Sequence, residues 1–295
     1  MATPSVTPRH WLIGARPHTW PNAFAPVVAG SGAAAFAGSF HLGRALLAAV
    51  VAWALIIGVN YANDYSDGIR GTDEDRTGPL RLTGSGLARP RTVKAAAFLC
   101  FGVAGVAGCA LSIIAGAWWL IAVGIACVAA AWFYTGGKNP YGYRGLGEVA
   151  VFVFFGLVAV LGTEFTQTGK VSWAGLIAAV SVGAMSASVN LANNIRDIPT
   201  DAAAGKVTLA VRLGDTKARA LFVVLACTPL VGSLLLGTMA WPALIGLGVA
   251  PLVWRAAGPV RGGATGKALI PVLGATGKAM VLWAVATPVC LALSA

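Results

Sequence analysis

The chain has 295 residues, of which 57% are hydrophobic and only 11% are charged. A soluble domain carries about 25% charged residues, so this composition excludes an ordinary soluble protein and points to lipid as the main solvent. The net charge of +11 does not indicate nucleic-acid binding, because the Lys and Arg residues lie in short segments between apolar runs and no recognition motif is present. Anionic lipid headgroups are the expected partners of these cations.

Nine apolar runs follow one another along the chain, each close to the roughly 20 residues that a helix needs to cross a bilayer. They lie at about 20–40, 44–63, 93–114, 117–135, 147–165, 173–193, 219–237, 240–256 and 272–293. The seventh and eighth come from one long apolar run, whose break at Gly237-Thr238 and Trp241-Pro242 predicts a tight turn. The sequence therefore predicts an all-α, polytopic membrane protein with about nine transmembrane helices.

The basic residues predict the orientation of these spans. With the N-terminus in the cytoplasm, 19 of the 21 Lys and Arg residues fall on the cytoplasmic side, and only Arg44 and Lys170 fall outside. Cytoplasmic loops of membrane proteins carry such an excess of positive charge. We therefore expect a multi-pass protein of the cell membrane, with its long basic loops, and any site beside them, facing the cytoplasm.

An internal repeat appears when the polar residues are aligned. One cluster recurs 130 residues later, so that Asn60, Asn63, Asp64 and Asp67 correspond to Asn190, Asn193, Asn194 and Asp197. Each cluster closes an even-numbered span and opens a long basic loop. A duplicated four-helix unit explains this pattern. The prediction is a single domain over 1–295, with repeats at about 20–135 and 147–256 and a ninth helix at about 272–293.

The two clusters carry the residues best suited to chemistry. Their spacing of i, i+3, i+4 and i+7 places each set on one face of a helix. Carboxylate and amide oxygens are ligands for Mg²⁺, which usually binds one or two carboxylates together with substrate phosphates. Helix capping would explain one such cluster, but two with matched spacing favour a metal site. The predicted Mg²⁺ ligands are Asp64, Asp67, Asp73, Asp197 and Asp201.

Cations surround these acids in the sequence. A diphosphate needs both metal ions and direct cationic donors, so the mixture of acids and bases predicts a diphosphate substrate. The simpler explanation for any single cation is loop topology. The candidate cations are Arg70, Arg76, Arg81, Lys138, Arg144, Arg196, Lys206 and Arg212.

Three motifs resemble those of the UbiA superfamily of intramembrane aromatic prenyltransferases. They are Asn63-Asp64-x-x-Asp67, Asp197-x-x-x-Asp201 followed by Gly205-Lys206-x-Thr208-Leu209, and Tyr134-Thr135 with Lys138. The resemblance implies a nine-helix bundle with a central cavity open to lipid, Mg²⁺ and a polyprenyl diphosphate. This chain departs from the family pattern at Gly71, where another Asp is common, and the next acid is Asp73.

The resemblance also implies roles for individual residues. The catalytic set would be Asp64, Asp67, Asp197, Asp201 and Lys138. The substrate-binding set would be Asn60, Asn63, Arg70, Arg76, Arg81, Tyr134, Arg144, Asn190, Asn193, Arg196 and Lys206.

The acceptor is suggested by segments that resemble the naphthoate branch of the superfamily. These segments are Asn193-Asn194-x-Arg196-Asp197, Gly78-Pro79-x-Arg81-Leu82-x-x-Ser85-Gly86, and the run from Tyr134 to Glu148. They imply 1,4-dihydroxy-2-naphthoate as acceptor, prenylated with loss of CO₂ to give demethylmenaquinone.

Three alternatives stay open at this point. The acceptor could be 4-hydroxybenzoate. A CDP-alcohol lipid headgroup transferase also uses Asp clusters, but keeps its acids in one contiguous segment. An ion-coupled transporter would place its acids within the spans rather than at one membrane face.

Overall fold

The computed structural model describes residues 6–71 and 80–294, and every regular element within them is a helix. In chain order these are α1 (Pro8–Gly14), α2 (Pro21–Phe36), α3 (Leu42–Ile69), α4 (Pro90–Ile114), α5 (Leu120–Phe133), α6 (Gly147–Thr168), α7 (Trp173–Arg196), α8 (Ile198–Ala203), α9 (Leu209–Met239), α10 (Trp241–Arg261) and α11 (Gly266–Ala292). Short 3₁₀ turns at Pro17–Thr19 and Tyr141–Arg144 connect some of them. The all-α prediction is confirmed.

Seven of the described helices are long and apolar enough to cross a membrane, namely α3, α4, α6, α7, α9, α10 and α11. The chain is therefore a multi-pass membrane protein, in which helices satisfy the backbone hydrogen bonds that lipid cannot. The first and fourth predicted spans coincide with α2 and α5, which have 16 and 14 residues. That all nine segments cross the bilayer, and in which direction, stays a prediction.

The predicted break within the long apolar run is confirmed. Helix α9 ends at Met239, a single extended residue follows at Ala240, and α10 begins at Trp241 as a 3₁₀ helix. Pro242 suits the first turn of a helix, because the missing N–H would have no partner there.

Helices α3 and α7 run past their predicted ends. The predicted spans stop at residues 63 and 193, whereas the helices continue to Ile69 and Arg196. The Asn/Asp clusters therefore belong to the last helical turns rather than to loops. This extension holds the i, i+3, i+4 and i+7 residues on one face, as their spacing requires.

Two apolar cores flank the interior of the bundle. The larger one joins α2, α6, α7, α9, α10 and α11 around Met185, Phe222 and Trp283. A smaller one joins α1, α3 and α4 around Tyr61 and Phe101. Most of the residues that line a cavity between these cores come from helices α2 to α7.

Polar contacts tie the helices together at the end of the bundle away from the Asn/Asp clusters. Arg44 donates to the carbonyls of Thr166 and Ile114, at 2.8 and 3.1 Å. The side chain of Gln167 accepts a 3.0 Å hydrogen bond from the backbone N–H of His41. Arg44, one of the two basic residues predicted to lie outside, thus links α3 to the ends of α4 and α6.

Helix α6 is not α-helical throughout. Its central ten residues, Phe152–Leu161, form a π-helix, which is rare and commonly found as a single turn at functional sites. On one side, Gly156 packs against Gly183 of α7 so closely that an added Cβ would lie 2.5 Å from the Gly183 Cα. The glycine pair therefore fixes α6 directly against α7.

Candidate functional site

A cavity of about 350 Å³ lies between the two cores, with polar residues at one end and apolar residues along the rest. Eight of the predicted site residues line it: Asn60, Asn63, Asp67, Arg81, Tyr134, Asn190, Asn193 and Lys206. Helices α3 and α7 bring their final turns to the same end. The fold thus places residues of both sequence clusters along one cavity.

Asp67 is buried at the polar end. One of its carboxylate oxygens accepts a 2.6 Å hydrogen bond from the Tyr143 hydroxyl. The other lies 3.6 Å from the guanidinium of Arg81. A buried carboxylate loses its hydrating water, so hydrogen-bond donors and cations must take the place of that water.

Asp64 lies deeper, with 1% of its surface exposed. Its two oxygens accept hydrogen bonds from the backbone N–H groups of Leu82 and Thr83, at 2.7 and 2.8 Å. Asp64 therefore anchors the segment that carries Arg81. Each carboxylate oxygen has a second lone pair, so this anchoring is compatible with the predicted metal role.

The second cluster pairs its acids with cations. Arg196 and Asp197 form a two-pronged ion pair with distances of 2.7 and 2.6 Å, and both residues are buried. Asp201 lies one turn later, in α8. One of its carboxylate oxygens is 3.5 Å from the ammonium of Lys206. Lys206 also lines the cavity, so this ion pair lies beside the cavity.

Tyr143 connects the two clusters. Besides its hydrogen bond to Asp67, its ring lies under the Lys206 ammonium at 5.2 Å and the Arg70 guanidinium at 5.6 Å. Arg70 in turn donates to the carbonyls of Thr135 and Gly137. Cations over an aromatic face are stabilised by its quadrupole, so one tyrosine positions two cations and one acid.

The donor set suits Mg²⁺ only in combination with a phosphate ligand. Within residues 6–71 and 80–294, no three acidic, His or Cys side chains come within reach of one ion. Mg²⁺ commonly takes one or two protein carboxylates and completes its shell with phosphate oxygens and water. Carboxylates on two facing helices, with cations beside them, fit a metal shared with a diphosphate. The predicted ligand Asp73 lies outside the described residues.

The asparagines of the clusters have mostly structural contacts. The Asn60 amide donates to the Ala15 carbonyl and to the Thr19 hydroxyl, at 3.0 and 2.9 Å. Asn63 accepts from the Thr135 hydroxyl at 2.7 Å. These bonds hold the N-terminal turn and the segment after α5 against α3, and so shape the cavity mouth.

The second-repeat asparagines lie beside a buried acid that the sequence analysis did not select. Asn194 donates to the carboxylate of Glu148, at the start of α6. Asn190 accepts a 3.4 Å hydrogen bond from the Tyr134 hydroxyl. Glu148 is part of the run from Tyr134 to Glu148, so the sequence carried a signal for it.

Some predicted site residues are not brought to the cavity. Arg70, Lys138 and Arg144 are exposed and do not line it, although Arg70 contacts the ring of Tyr143. Arg76, like Asp73, lies outside the described residues. The catalytic role of Lys138 and the binding roles of Arg144 and Arg76 stay predictions.

Arg16 is a cavity-lining residue that the predicted site lacked. Within the described residues it is the one non-glycine residue with a positive φ, at 51°. Such a backbone conformation costs free energy and is frequent at functional sites. In the sequence, the dipeptide Arg16-Pro17 was the signal for this unusual residue. The hydrogen bond from Asn60 to Thr19 stabilises the turn.

Three cations, Arg16, Arg81 and Lys206, and one acid, Asp67, line the cavity. The pKa of His18 is lowered from 6.5, first because partial burial disfavours the charged ring, and then because Arg16 and Arg196 repel a further positive charge. An anionic substrate would be attracted to this end of the cavity.

Comparisons with known proteins identify the family of the chain. The model of the UbiA prenyltransferase family matches residues 23–262. A 1,4-dihydroxy-2-naphthoate octaprenyltransferase from Mycobacterium tuberculosis is 58% identical over 283 residues, covering 96% of each chain. The Escherichia coli protein of the same description is 39% identical over 216 residues, covering 71% of this chain and 70% of its own.

Solved structures share the fold. A UbiA homolog from Aeropyrum pernix K1 has a TM-score of 0.69 at 17% identity, covering 92% of this chain and 96% of its own. A UbiA homolog from Archaeoglobus fulgidus bound to GPP and Mg²⁺ has a TM-score of 0.65 at 14% identity, covering 92% and 99%. At this identity the likeness concerns the fold alone.

Proposed function

The chain belongs to the UbiA prenyltransferase family, and from this premise we propose that it transfers a polyprenyl group from polyprenyl diphosphate to 1,4-dihydroxy-2-naphthoate. The carboxylate of the acceptor leaves as CO₂, and the product is demethylmenaquinone in its quinol form. One observation carries the proposal: two acid–cation pairs, Asp67 with Arg81 and Asp201 with Lys206, lie at the polar end of a cavity whose remaining wall is largely apolar. The relatives named for this reaction support the choice of acceptor.

The acid clusters would hold the diphosphate together with Mg²⁺. Asp64, Asp67, Asp197 and Asp201 are the ligands we propose, with Asp73 as a fifth candidate. The bound metal would neutralise the diphosphate and make it a better leaving group. Asp67 and Asp201 already lie beside Arg81 and Lys206, so both cations stand next to the space where phosphate oxygens would lie.

The cations would hold the negative charge that develops as the allylic C–O bond breaks. The bonding electron pair leaves with the diphosphate, where Arg81 and Lys206 donate directly and Arg70 adds positive charge. Lys206 is positioned by Asp201 and by the ring of Tyr143. Arg196 acts through its ion pair with Asp197, which orients the carboxylate.

The apolar wall would protect the allylic cation. Leu55, Ile56, Val59, Phe154 and Phe155 line the cavity beyond the clusters, and they offer no nucleophile. Excluding water prevents hydrolysis of a reactive cation. The ring carbon that bears the acceptor's carboxylate then forms the new C–C bond, and loss of CO₂ returns an electron pair to the ring.

Arg16 would meet the carboxylate of the acceptor. Lys138, Arg144 and Arg196, which were candidates for this contact, do not line the cavity. Arg16 lines the cavity mouth in a turn stabilised by Asn60 and Thr19. A guanidinium suits a carboxylate because it can donate two parallel hydrogen bonds.

The orientation of the protein also belongs to this proposal. We infer that nine helices cross the cell membrane, with the cavity mouth facing the cytoplasm. The support is the excess of basic residues in the segments beside the acid clusters, where a diphosphate made in the cytoplasm could enter.

The test uses purified protein with Mg²⁺, a polyprenyl diphosphate and one of two acceptors. With 1,4-dihydroxy-2-naphthoate labelled in its carboxylate, we expect prenylated product and release of labelled CO₂ in equal amounts. With 4-hydroxybenzoate we expect little product. Dominant prenylation of 4-hydroxybenzoate, with no CO₂ released from the naphthoate, would reject the acceptor, and no prenylation of either acceptor would reject the function.

A further inference from the structure

Helix α6 contributes one complete wall of the cavity, from the polar mouth to the opposite end. Its first residues lie at the clusters, because Glu148 binds Asn194. Its last residues lie in the polar network of Arg44 and Gln167. The residues that face the cavity between these ends form two rows with a spacing of four: Ala150, Phe154, Val158, Gly162 and Thr166, and beside them Val151, Phe155, Ala159 and Thr163.

A regular α-helix could not keep these rows on one side. With 3.6 residues per turn, every fourth residue turns about 40° too far, so Thr166 would lie about 160° away from Ala150. A π-helix has about 4.4 residues per turn, and every fourth residue then falls about 30° short. The ten π-helical residues Phe152–Leu161 therefore cancel the drift of the α-helical ends. The π-helix is what makes the wall straight.

Beyond Ala150, side-chain size decreases along the first of these rows. Phe154 is followed by Val158 one turn later, and by Gly162 after that. A Cβ added to Gly162 would have no heavy atom within 4 Å. Across the cavity on α4, a Cβ added to Gly108 would meet only Val51, at 3.8 Å. The half of the cavity away from the clusters is therefore kept open by missing side chains, and we call it the distal channel.

The hydroxyl groups in the distal channel do not make it polar. Ser112 donates to the carbonyl of Gly108 at 2.7 Å, and Thr163 donates to that of Ala159 at 2.7 Å. Thr166 donates to the carbonyl of Thr163 at 3.1 Å. Because each donor bonds back to its own helix, the channel presents methyl and methylene groups. Such a surface suits a hydrocarbon chain.

We propose that the distal channel receives the far isoprene units of the donor, and that Gly162 and Gly108 set the length of prenyl chain the protein accepts. The straight π-helical wall carries Gly162 to this position. The proposal rests on the proposed prenyltransferase function and adds residues that determine its donor specificity. A short donor would occupy only the part of the cavity beside Phe154 and Phe155, and would not reach the glycines.

The test compares geranyl diphosphate with octaprenyl diphosphate as donors. We expect Gly162→Phe and Gly108→Phe to lower the ratio of kcat/KM for the long donor to that for the short donor by about tenfold or more, the discrimination typical of an altered apolar pocket. The matched control is Gly105→Phe. Gly105 lies one turn before Gly108 on α4, is exposed, does not line the cavity, and also has open space around its Cβ, so its ratio should stay that of the wild type.

A graded series protects the test against misfolding. Gly162→Ala, Gly162→Leu and Gly162→Phe should lower the ratio in that order, and detergent melting temperatures identify any variant that fails to fold. If Gly162→Phe is inactive with both donors, the ratio of kcat/KM values measured for Gly162→Leu tests the proposal instead. Wild-type ratios in the folded Gly162 variants would overturn the inference while leaving the function intact. Absence of product from the wild type with both donors would instead reject the proposed function.

Discussion

The hydroxyl of Tyr143 donates a 2.6 Å hydrogen bond to the carboxylate of Asp67, although the two residues are 76 positions apart. The ring of the same tyrosine lies 5.2 Å from the Lys206 ammonium. Tyr143 therefore connects an acid from the first repeat with a cation from the second. Its removal should disturb both halves of the diphosphate site.

Tyr143→Phe removes the hydrogen bond and keeps the ring. A hydrogen bond to a charged group contributes about 1.5–3 kcal/mol, so we expect kcat/KM for prenyl transfer to fall about ten- to hundredfold. Tyr143→Leu, which also removes the aromatic face under Lys206, should lose more. Equal activities of the Phe and Leu variants would show that the ring contributes nothing, and a wild-type rate in Tyr143→Phe would show that the hydrogen bond does not position Asp67 for catalysis.

Asp67→Asn and Asp197→Asn should each lower turnover by orders of magnitude, because an amide neither balances the charge of the metal nor binds it as strongly. The proteins should still fold, since Asn keeps the shape of Asp and one of its two acceptor oxygens. Steady-state turnover and the Mg²⁺ concentration for half-maximal rate are the measurements. Asp215→Asn is the control, because Asp215 is a largely exposed acid that pairs with Arg219. Near-normal turnover in both site variants would remove these acids from the mechanism.

Arg219 should matter for stability rather than for catalysis. It is buried, and donates to the carbonyls of Val260 and Ala264 at 2.8 and 2.9 Å while pairing with Asp215 at 2.6 Å. Loop topology alone would not require these contacts. Arg219→Ala leaves two carbonyls without their donor, which costs about 1–3 kcal/mol and should lower the melting temperature by about 2–6 °C.

Lys217→Ala is the matched control for that change. Lys217 is an exposed cation two residues earlier on α9, so its removal alters the net charge equally and should leave the melting temperature within a degree or so. Equal shifts in melting temperature in the two variants would indicate a general effect of the lost charge. They would not support a specific role for the hydrogen bonds from Arg219 to the two carbonyls.

Topology can be measured with reporter fusions. With nine crossings and a cytoplasmic N-terminus, a fusion after residue 295 should report the outside, and one within the loop at Arg76 should report the cytoplasm. The reason is the distribution of basic residues, which are concentrated in alternate loops. Two cytoplasmic signals would mean that the short helix α5 does not cross the membrane.

Much of the fold could be predicted from the sequence because lipid imposes a local rule. A segment inside a bilayer must satisfy its backbone within its own helix, so each apolar run predicts one helix, and all nine runs coincide with helices of the structure. The clusters from Asn60 to Asp67 and from Asn190 to Asp197 were predicted for the same reason. Their shared face follows from helical periodicity alone.

Only the tertiary structure decided which side chains meet. Asp67 reaches Tyr143, and Asn60 reaches Ala15 and Thr19 across 41 or more positions. No local pattern specifies such contacts. Lys138 turns outward although it lies beside Thr135, which contacts Asn63. The apolar sequence of Phe152–Leu161 likewise does not predict the π-helix of α6. That geometry accompanies the close packing of Gly156 on Gly183, which is a contact between two helices. Helix positions are set by local hydrogen bonding, whereas the cavity is set by how distant helices pack.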